Sequence, residues 1–331
     1  MSLDQDGFVV WPDEADRFVD QVRDRSDVTM VEWGQFGGRT AYQVSVGTVG
    51  KPHVYVTRPH AHEPAGTAAC FEWLKRLIAP KSEWDRYVLE NFRISFMPDA
   101  NPSGSARAPV KFWDGAKIPN EMFFLWMFGE SGEAEGERFP RLASWRIEDV
   151  ISPRRIGIAY EQIDSSTYVE PNRDHRSTFF KAYFDLHNRE PVDVWVDLHQ
   201  TEYIGSDRNA HVNLPTNVDT LEARLESHTR ALANQIHERW ATEGAVPRDS
   251  PQVPYQNNKV QYDFLNVVWS SITSATLTVI TEVQNNNPRT PVHDQVRFQF
   301  AAIDQAIRYV DTNREDLLAS LATSREKANN G

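Results

Sequence analysis

Four residues spread along the chain carry the groups needed to hold a metal ion and activate water: His60, Glu63, His199 and Glu282. His60 and Glu63 lie in Arg58-Pro59-His60-Ala61-His62-Glu63-Pro64. A zinc ion takes imidazole nitrogen and carboxylate oxygen at about 2.0–2.2 Å, and a His-x-x-Glu turn offers both from one short segment. Taken alone, so short a pattern is more often a pair of surface residues. His199 ends the apolar run Val194-Trp195-Val196-Asp197-Leu198-His199, and Asp197, two residues back, shares its face. A carboxylate there can accept the second ring N–H, the contact that orients metal-bound histidines. Glu282 stands near the end of Thr276-Leu277-Thr278-Val279-Ile280-Thr281-Glu282. A carboxylate in so apolar and β-branched a run is costly to bury unless it is paired, coordinated or put to use. Three protein ligands with a fourth position open describe a catalytic zinc site. Water bound to such an ion has a pKa of about 7, low enough for a neighbouring glutamate to take its proton.

The elements around these residues alternate between the two periodicities. Asp13–Arg25 has helical spacing, Thr29–Trp33 and Thr40–Val46 alternate as strands, and Gly34, Gly37 and Gly38 supply the turn between them. His53–Thr57 reads as a short strand running directly into the His60 segment. A helix from about Ala65 to Ile78 follows, with Pro64 in its first turn, where proline is tolerated. Trp84–Asn91 reads as a helix, Phe92–Met97 as a strand, Asp174–Asn188 as a helix and Val192–Leu198 as a strand. Val218–Thr242 reads as one long helix, Ala275–Val283 as a strand and Val292–Asp311 as a helix, with Thr323–Gly331 a frayed polar tail. This order predicts an α/β fold, a single-domain α/β/α sandwich around a central mixed sheet. Ligands in such folds gather at the carboxyl ends of strands, where His60, His199 and Glu282 fall. Residues 101–166 differ in character, being rich in Trp and Phe around the Gly- and Glu-rich stretch 129–136. They read either as an insertion over a site or as an ordinary packed subdomain.

The 331 residues carry 35 basic and 47 acidic side chains, a net charge of −12, which argues against general affinity for nucleic acid or an anionic membrane. No apolar run approaches the roughly 20 residues of a membrane helix. The single cysteine, Cys70, excludes an intrachain disulfide, and Met1–Pro12 lacks the pattern of a signal peptide. The expectation is a cytoplasmic protein.

These motifs, in this order, resemble the zinc carboxypeptidase family over about residues 38–310. His60-Ala61-His62-Glu63 resembles the family's His-x-x-Glu, His199 its third ligand and Glu282 its late catalytic glutamate. Asn101-Pro102-Ser103-Gly104 resembles its Asn-Pro-Asp-Gly turn, with Ser103 in place of Asp. Glu170-Pro171-Asn172-Arg173-Asp174 resembles the segment whose Asn-Arg pair grips a free carboxylate, a task that suits guanidinium. Tyr255 matches the mobile tyrosine that caps substrate, and Asp263, eight positions on, supports the alignment. For the arginine that polarises the scissile carbonyl, Arg155 is the first choice, Arg107 the second, and Arg154 also qualifies. His62 falls where the family often has Arg, Gly or Pro, and is assigned to a supporting or substrate-facing place.

The resemblance implies one catalytic domain over 1–331, one Zn2+ per chain, and cleavage of a C-terminal amide bond with Glu282 as general base. The substrate would be a peptide or an N-acyl amino acid with a free carboxylate. Two other readings stand beside this one: a small-molecule deacylase resembling succinylglutamate desuccinylase or aspartoacylase, and a catalytically silent binding protein of the same fold.

Overall fold

The computed structural model describes residues 7–149, 153–202 and 206–330. Part of the acidic N-terminal stretch (1–6) and residues 150–152 of the 101–166 segment lie outside the described residues. The chain opens with α1 (Pro12–Val22), β1 (Val28–Gly34), β2 (Thr40–Gly47), β3 (His53–Thr57), α2 (Pro64–Ile78), α3 (Glu83–Asn91), β4 (Arg93–Met97) and the short α4 (Pro102–Ser105). The middle holds α5 (Asn120–Phe128) and the short strands β5 (Gly129–Glu130), β6 (Ser144–Arg146), β7 (Arg155–Ile156), β8 (Glu161–Gln162) and β9 (Thr167–Val169). It closes with α6 (Thr178–Arg189), β10 (Val194–Thr201), β11 (Ala210–Asn213), α7 (Ala223–Thr242), α8 (Lys259–Thr273), β12 (Leu277–Gln284) and α9 (Val292–Asn330).

Seven strands form the central sheet in the order β1-β2-β4-β3-β10-β12-β11. The inner four, β4, β3, β10 and β12, run parallel, while β1, β2 and β11 pair antiparallel, so the sheet is mixed. Alternation along β10 shows how the layers form. Val194, Val196 and Leu198 point into a core shared with α2, α7 and α9. Trp195 points the other way, against Phe179 and Phe180 of α6 and Leu265 and Trp269 of α8. Helices therefore cover both faces. The Trp195 ring stacks on Tyr183 with centroids 4.3 Å apart and donates its indole N–H to Thr57 (2.8 Å). Trp195→Ala would cost about 3–5 kcal/mol.

Three segments depart from the sequence reading. The helix expected over 218–242 breaks, because the Glu222 carboxylate caps a new start by accepting from the Arg224 and Leu225 N–H groups. The tail is helical to Asn330 after a kink at Asn313. Arg325 anchors it by donating to the Ala275 and Val192 carbonyls (2.9 and 2.7 Å). In the 101–166 segment, Asn101 caps α4 by accepting from Gly104 N–H (3.0 Å). Gly104 has no room for a side chain, since a Cβ would sit 2.3 Å from the Ile158 carbonyl oxygen. The rest packs in two small cores, one around Trp113 and Phe123 and one around Trp145, Tyr160 and Tyr168. Among the described residues, no helix is long and apolar enough to cross a membrane.

Candidate metal centre

Strand register assembles the site. His199 of β10 pairs with Glu282 of β12, and Glu282 pairs with His211 of β11. Directly paired residues project to the same face, so the three side chains form one row across three strands. The next row holds Asp197, Ile280 and Asn213. His60 and Glu63 arrive from the turn between β3 and α2, where Pro64 opens the helix and Glu63 takes the position just before it.

His60 Nδ1 lies 3.0 Å from Glu63 Oε1, and His199 Nδ1 lies 3.2 Å from Glu63 Oε2. The two imidazole centroids are 4.8 Å apart. Ligand atoms of His60, Glu63 and His199 all fall within 4.8 Å of one another, and all three residues are buried. Glu63 Oε2 has no hydrogen-bond partner. A buried carboxylate with one oxygen unbonded, approached at its two oxygens by two imidazole nitrogens, is the donor set a divalent cation satisfies. Both rings are held from behind. Glu170 lies 3.1 Å from His60 Nε2, and Asp197 lies 2.7 Å from His199 Nε2, which leaves each Nδ1 turned toward the other ligands.

The charges are strongly coupled. Burial opposes ionisation of Glu63, but His60, His199 and His62 outweigh it and hold its carboxyl well below the usual range. Burial likewise opposes charge on His199, yet Asp197 and Glu63 lift that imidazole well above its ordinary value. Burial pushes the Glu282 carboxyl up to about 8, although His199 draws it down. Burial lowers His211 to about 3 and His62 to about 4, so both are neutral near pH 7.

A cavity of about 620 Å³ opens over this row and is lined by His60, Glu63, His199 and Glu282. Asn172, Arg173 and Tyr255 line it too. Tyr255 adopts φ 57°, a left-handed conformation rare for a bulky residue, and its hydroxyl accepts from Arg173 Nη2 (3.2 Å). Asp263 does not reach the cavity, being paired with Lys259 (2.6 Å) on the exposed side of α8.

Neither arginine chosen from the sequence lines the cavity. Arg155 stacks on Trp126 at 3.9 Å and lies 3.6 Å from Glu130. Arg107 is spent on the Ser103, Gly157 and Tyr160 carbonyls, which fastens α4 to the chain at 157–160. Arg154 is half exposed beside Glu130 and Glu135. Besides Arg173, the cavity is lined by Arg248 and by Arg141, which clasps Glu170 and donates to the Tyr255 hydroxyl (2.8 Å). No local signal marks Arg141 among the arginines of the 101–166 segment. Glu170 is more legible, since it precedes the Asn-Arg pair by two positions and proves fully buried against Arg141, Arg173 and His60. His62 is buried in stacked contact with His60 (5.1 Å) and edge-on to Phe123 (6.0 Å), with its Nε2 3.3 Å from Glu63 Oε1. Sequence reasoning also missed Asn213, which donates to Glu282 Oε1 (3.1 Å) while its carbonyl oxygen meets His211 Nε2 (2.9 Å). The alternation Ala-His-Val-Asn, with both polar residues on one strand face, was its signal.

Solved metallo-carboxypeptidases superpose on nearly the whole chain. The enzyme from Burkholderia cenocepacia matches with a TM-score of 0.55 at 14% identity, over 91% of this chain and 69% of its own. The fold is that of the zinc carboxypeptidases. The Pseudomonas aeruginosa metallo-carboxypeptidase, solved with (2-guanidinoethylmercapto)succinic acid, gives 0.53 at 15% identity over 92% and 69%. Bovine thrombin-activatable fibrinolysis inhibitor, in complex with tick carboxypeptidase inhibitor, gives 0.56 at 11% over 92% and 97%. No protein-family model matches the sequence, and no curated protein matches it. The carboxypeptidase likeness is therefore one of fold, and what the site does must be argued from its own residues.

Proposed function

We propose that the protein is a zinc-dependent hydrolase that cleaves the amide bond next to a free terminal carboxylate, with one ion held by His60, Glu63 and His199. The observation that carries this reading is the convergence of two Nδ1 atoms on a buried, partly unpartnered carboxylate, with Glu282 in the adjoining strand position. A zinc ion in that place supplies Lewis acidity and acidifies water. Glu282 accepts the proton of the attacking water and returns it to the leaving amine. Asn213 fixes one oxygen of Glu282 and leaves the other to face the cavity. Arg173 and Asn172 take the substrate carboxylate, with Tyr255 above them, and Arg141 replaces Arg155 as the group that polarises the carbonyl and steadies the oxyanion.

The inserted segment favours a compact substrate. Phe124, Met127 and Phe128 of α5 form a wall of the cavity, which supports a deacylase acting on a small N-acyl amino acid as the second reading. Metal analysis of the purified protein, coupled to release assays on tripeptides and N-acyl amino acids, tests both. Stoichiometric zinc with cleavage of either class supports the hydrolase. Absence of zinc binding refutes it, and zinc without cleavage leaves a silent binding protein.

A further inference from the structure

We propose that the cavity selects a substrate whose carboxyl-terminal residue bears an acidic side chain, and that Arg248 determines this preference. The inference rests on the amide-hydrolase reading and adds the class of residue released.

The argument starts from where a side chain can go. Behind Ile280, an apolar recess is bounded by Leu265, Pro254, Trp269 and Thr278. Its volume is only about 10 Å³, room for about one water molecule. Trp269 is buried and fixed there, its indole N–H donating to the Asn172 carbonyl (3.0 Å), so the recess does not open by a simple rotation. The open volume lies instead beside β11, where His211, Asn213, Arg248 and Gln252 line the cavity.

This polar wall is built on regular backbone. Ala210 bridges to Pro247 and Asn213 to Gln252 in parallel fashion, extending the sheet past β11. Arg248 N–H donates to the Ala210 carbonyl (2.9 Å) and Gln252 N–H to that of Val212 (3.1 Å). The backbone of Arg248 is therefore tied to β11, the strand beside Glu282, and its Nη1 donates to Gln252 Oε1 (2.7 Å). His211 and Asn213 are bonded to each other and neutral, so the guanidinium supplies the charge on this wall.

A ligand with its α-carboxylate on Arg173 and its scissile carbonyl over the His199–Glu282 row turns its terminal side chain toward β11. An acidic side chain meets a planar fork of donors there. An apolar one gains no such contact, and a basic one would face a like charge.

The test compares blocked dipeptides, N-acylglycyl-glutamate, -leucine and -lysine, on the zinc-loaded protein. The expected kcat/KM for the glutamate substrate exceeds that for either other by about 10-fold or more. Arg248→Met is expected to lower it by about 10–100-fold and to collapse the glutamate-to-leucine ratio. Arg248→Lys, checked with it for an unchanged melting temperature, retains part of the preference. A wild-type preference for leucine, or a ratio unmoved by Arg248→Met, overturns the proposal. If no substrate is cleaved, the hydrolase reading itself falls. Calorimetric binding of N-acetylglutamate against N-acetylleucine then still decides the pocket: tighter glutamate supports it, and equal affinity refutes it.

Discussion

Glu170→Gln removes one charge from a point where three groups meet. The carboxylate is fully buried, lies 3.1 Å from His60 Nε2, and is clasped by Arg141 and Arg173. Those two arginines hold its carboxyl well below the usual range against the cost of burial, so it is ionised near neutral pH. A glutamine of the same size keeps the packing but leaves two guanidiniums sharing one neutral oxygen. Breaking a buried pair in this way costs about 3–5 kcal/mol, and for a chain of 331 residues this corresponds to a fall in melting temperature of about 4–7 °C. His60 also loses the charged one of the two acceptors at its Nε2, Asn172 Oδ1 (3.2 Å) being the other, which should weaken metal binding by up to about 10–100-fold. The assay pairs thermal unfolding of metal-free protein with competition for zinc against a chromogenic chelator. Zinc affinity equal to wild type would show that Glu170 does not govern His60. An unchanged melting temperature as well would refute the electrostatic account of the whole cluster.

Three further outcomes are expected. Glu282→Gln retains zinc by metal analysis yet lowers kcat by about 10²–10⁴-fold, and full turnover in this variant removes the base assignment. Arg141→Met lowers kcat by about 10²–10³-fold, whereas Arg155→Met, which disturbs the stack on Trp126 and the pairing with Glu130 away from the cavity, changes it less than threefold; a reversed order would reinstate Arg155. Burial pushes the Glu161 carboxyl up to about 7 from 4.5, although its hydrogen bonds with Thr178 pull it down. The folded state therefore binds that proton more tightly than the unfolded chain. Its contribution is full below about pH 4.5 and is lost as pH rises through 7, on the order of 3 kcal/mol in all. Urea titrations at pH 5 and pH 8 should show the stability difference moving toward Glu161→Gln by that amount, and a pH-independent difference would contradict the burial argument.

What could be read from sequence follows from what local pattern encodes. His199 and Glu282 were visible because each stands near the end of an apolar run, where one polar residue is conspicuous, and His60 and Glu63 by their spacing where a strand gives way to a helix. Asp197 was legible for the same reason, since parity places it on the face of His199. Arg141 was not, because its place depends on the path of the chain from α5 to β9, and no periodicity fixes that path. The contrast between Arg107 and Arg141 makes the point: both are partly or fully withdrawn from solvent, yet one serves carbonyls within the fold and the other faces the cavity. α8 and β11 also went unread. The helix carries Val260 and Val267 on its exposed side, which blurs its polarity, and the strand is only four residues long.

The sheet's two-residue period leaves the chemistry with no tolerance for slippage. Thr281, next to Glu282, faces the opposite layer and bonds Gln299 of α9 (2.7 Å), and Val279 and Val283 fill the apolar core there. Shifting β12 by a single residue against β10 would thrust a carboxylate among valines and hand its place beside His199 to an aliphatic or hydroxyl group. Single-residue insertions or deletions within Leu277–Gln284 should thus abolish stability and turnover together, whereas the same changes in the loop before Val292 leave the frame intact.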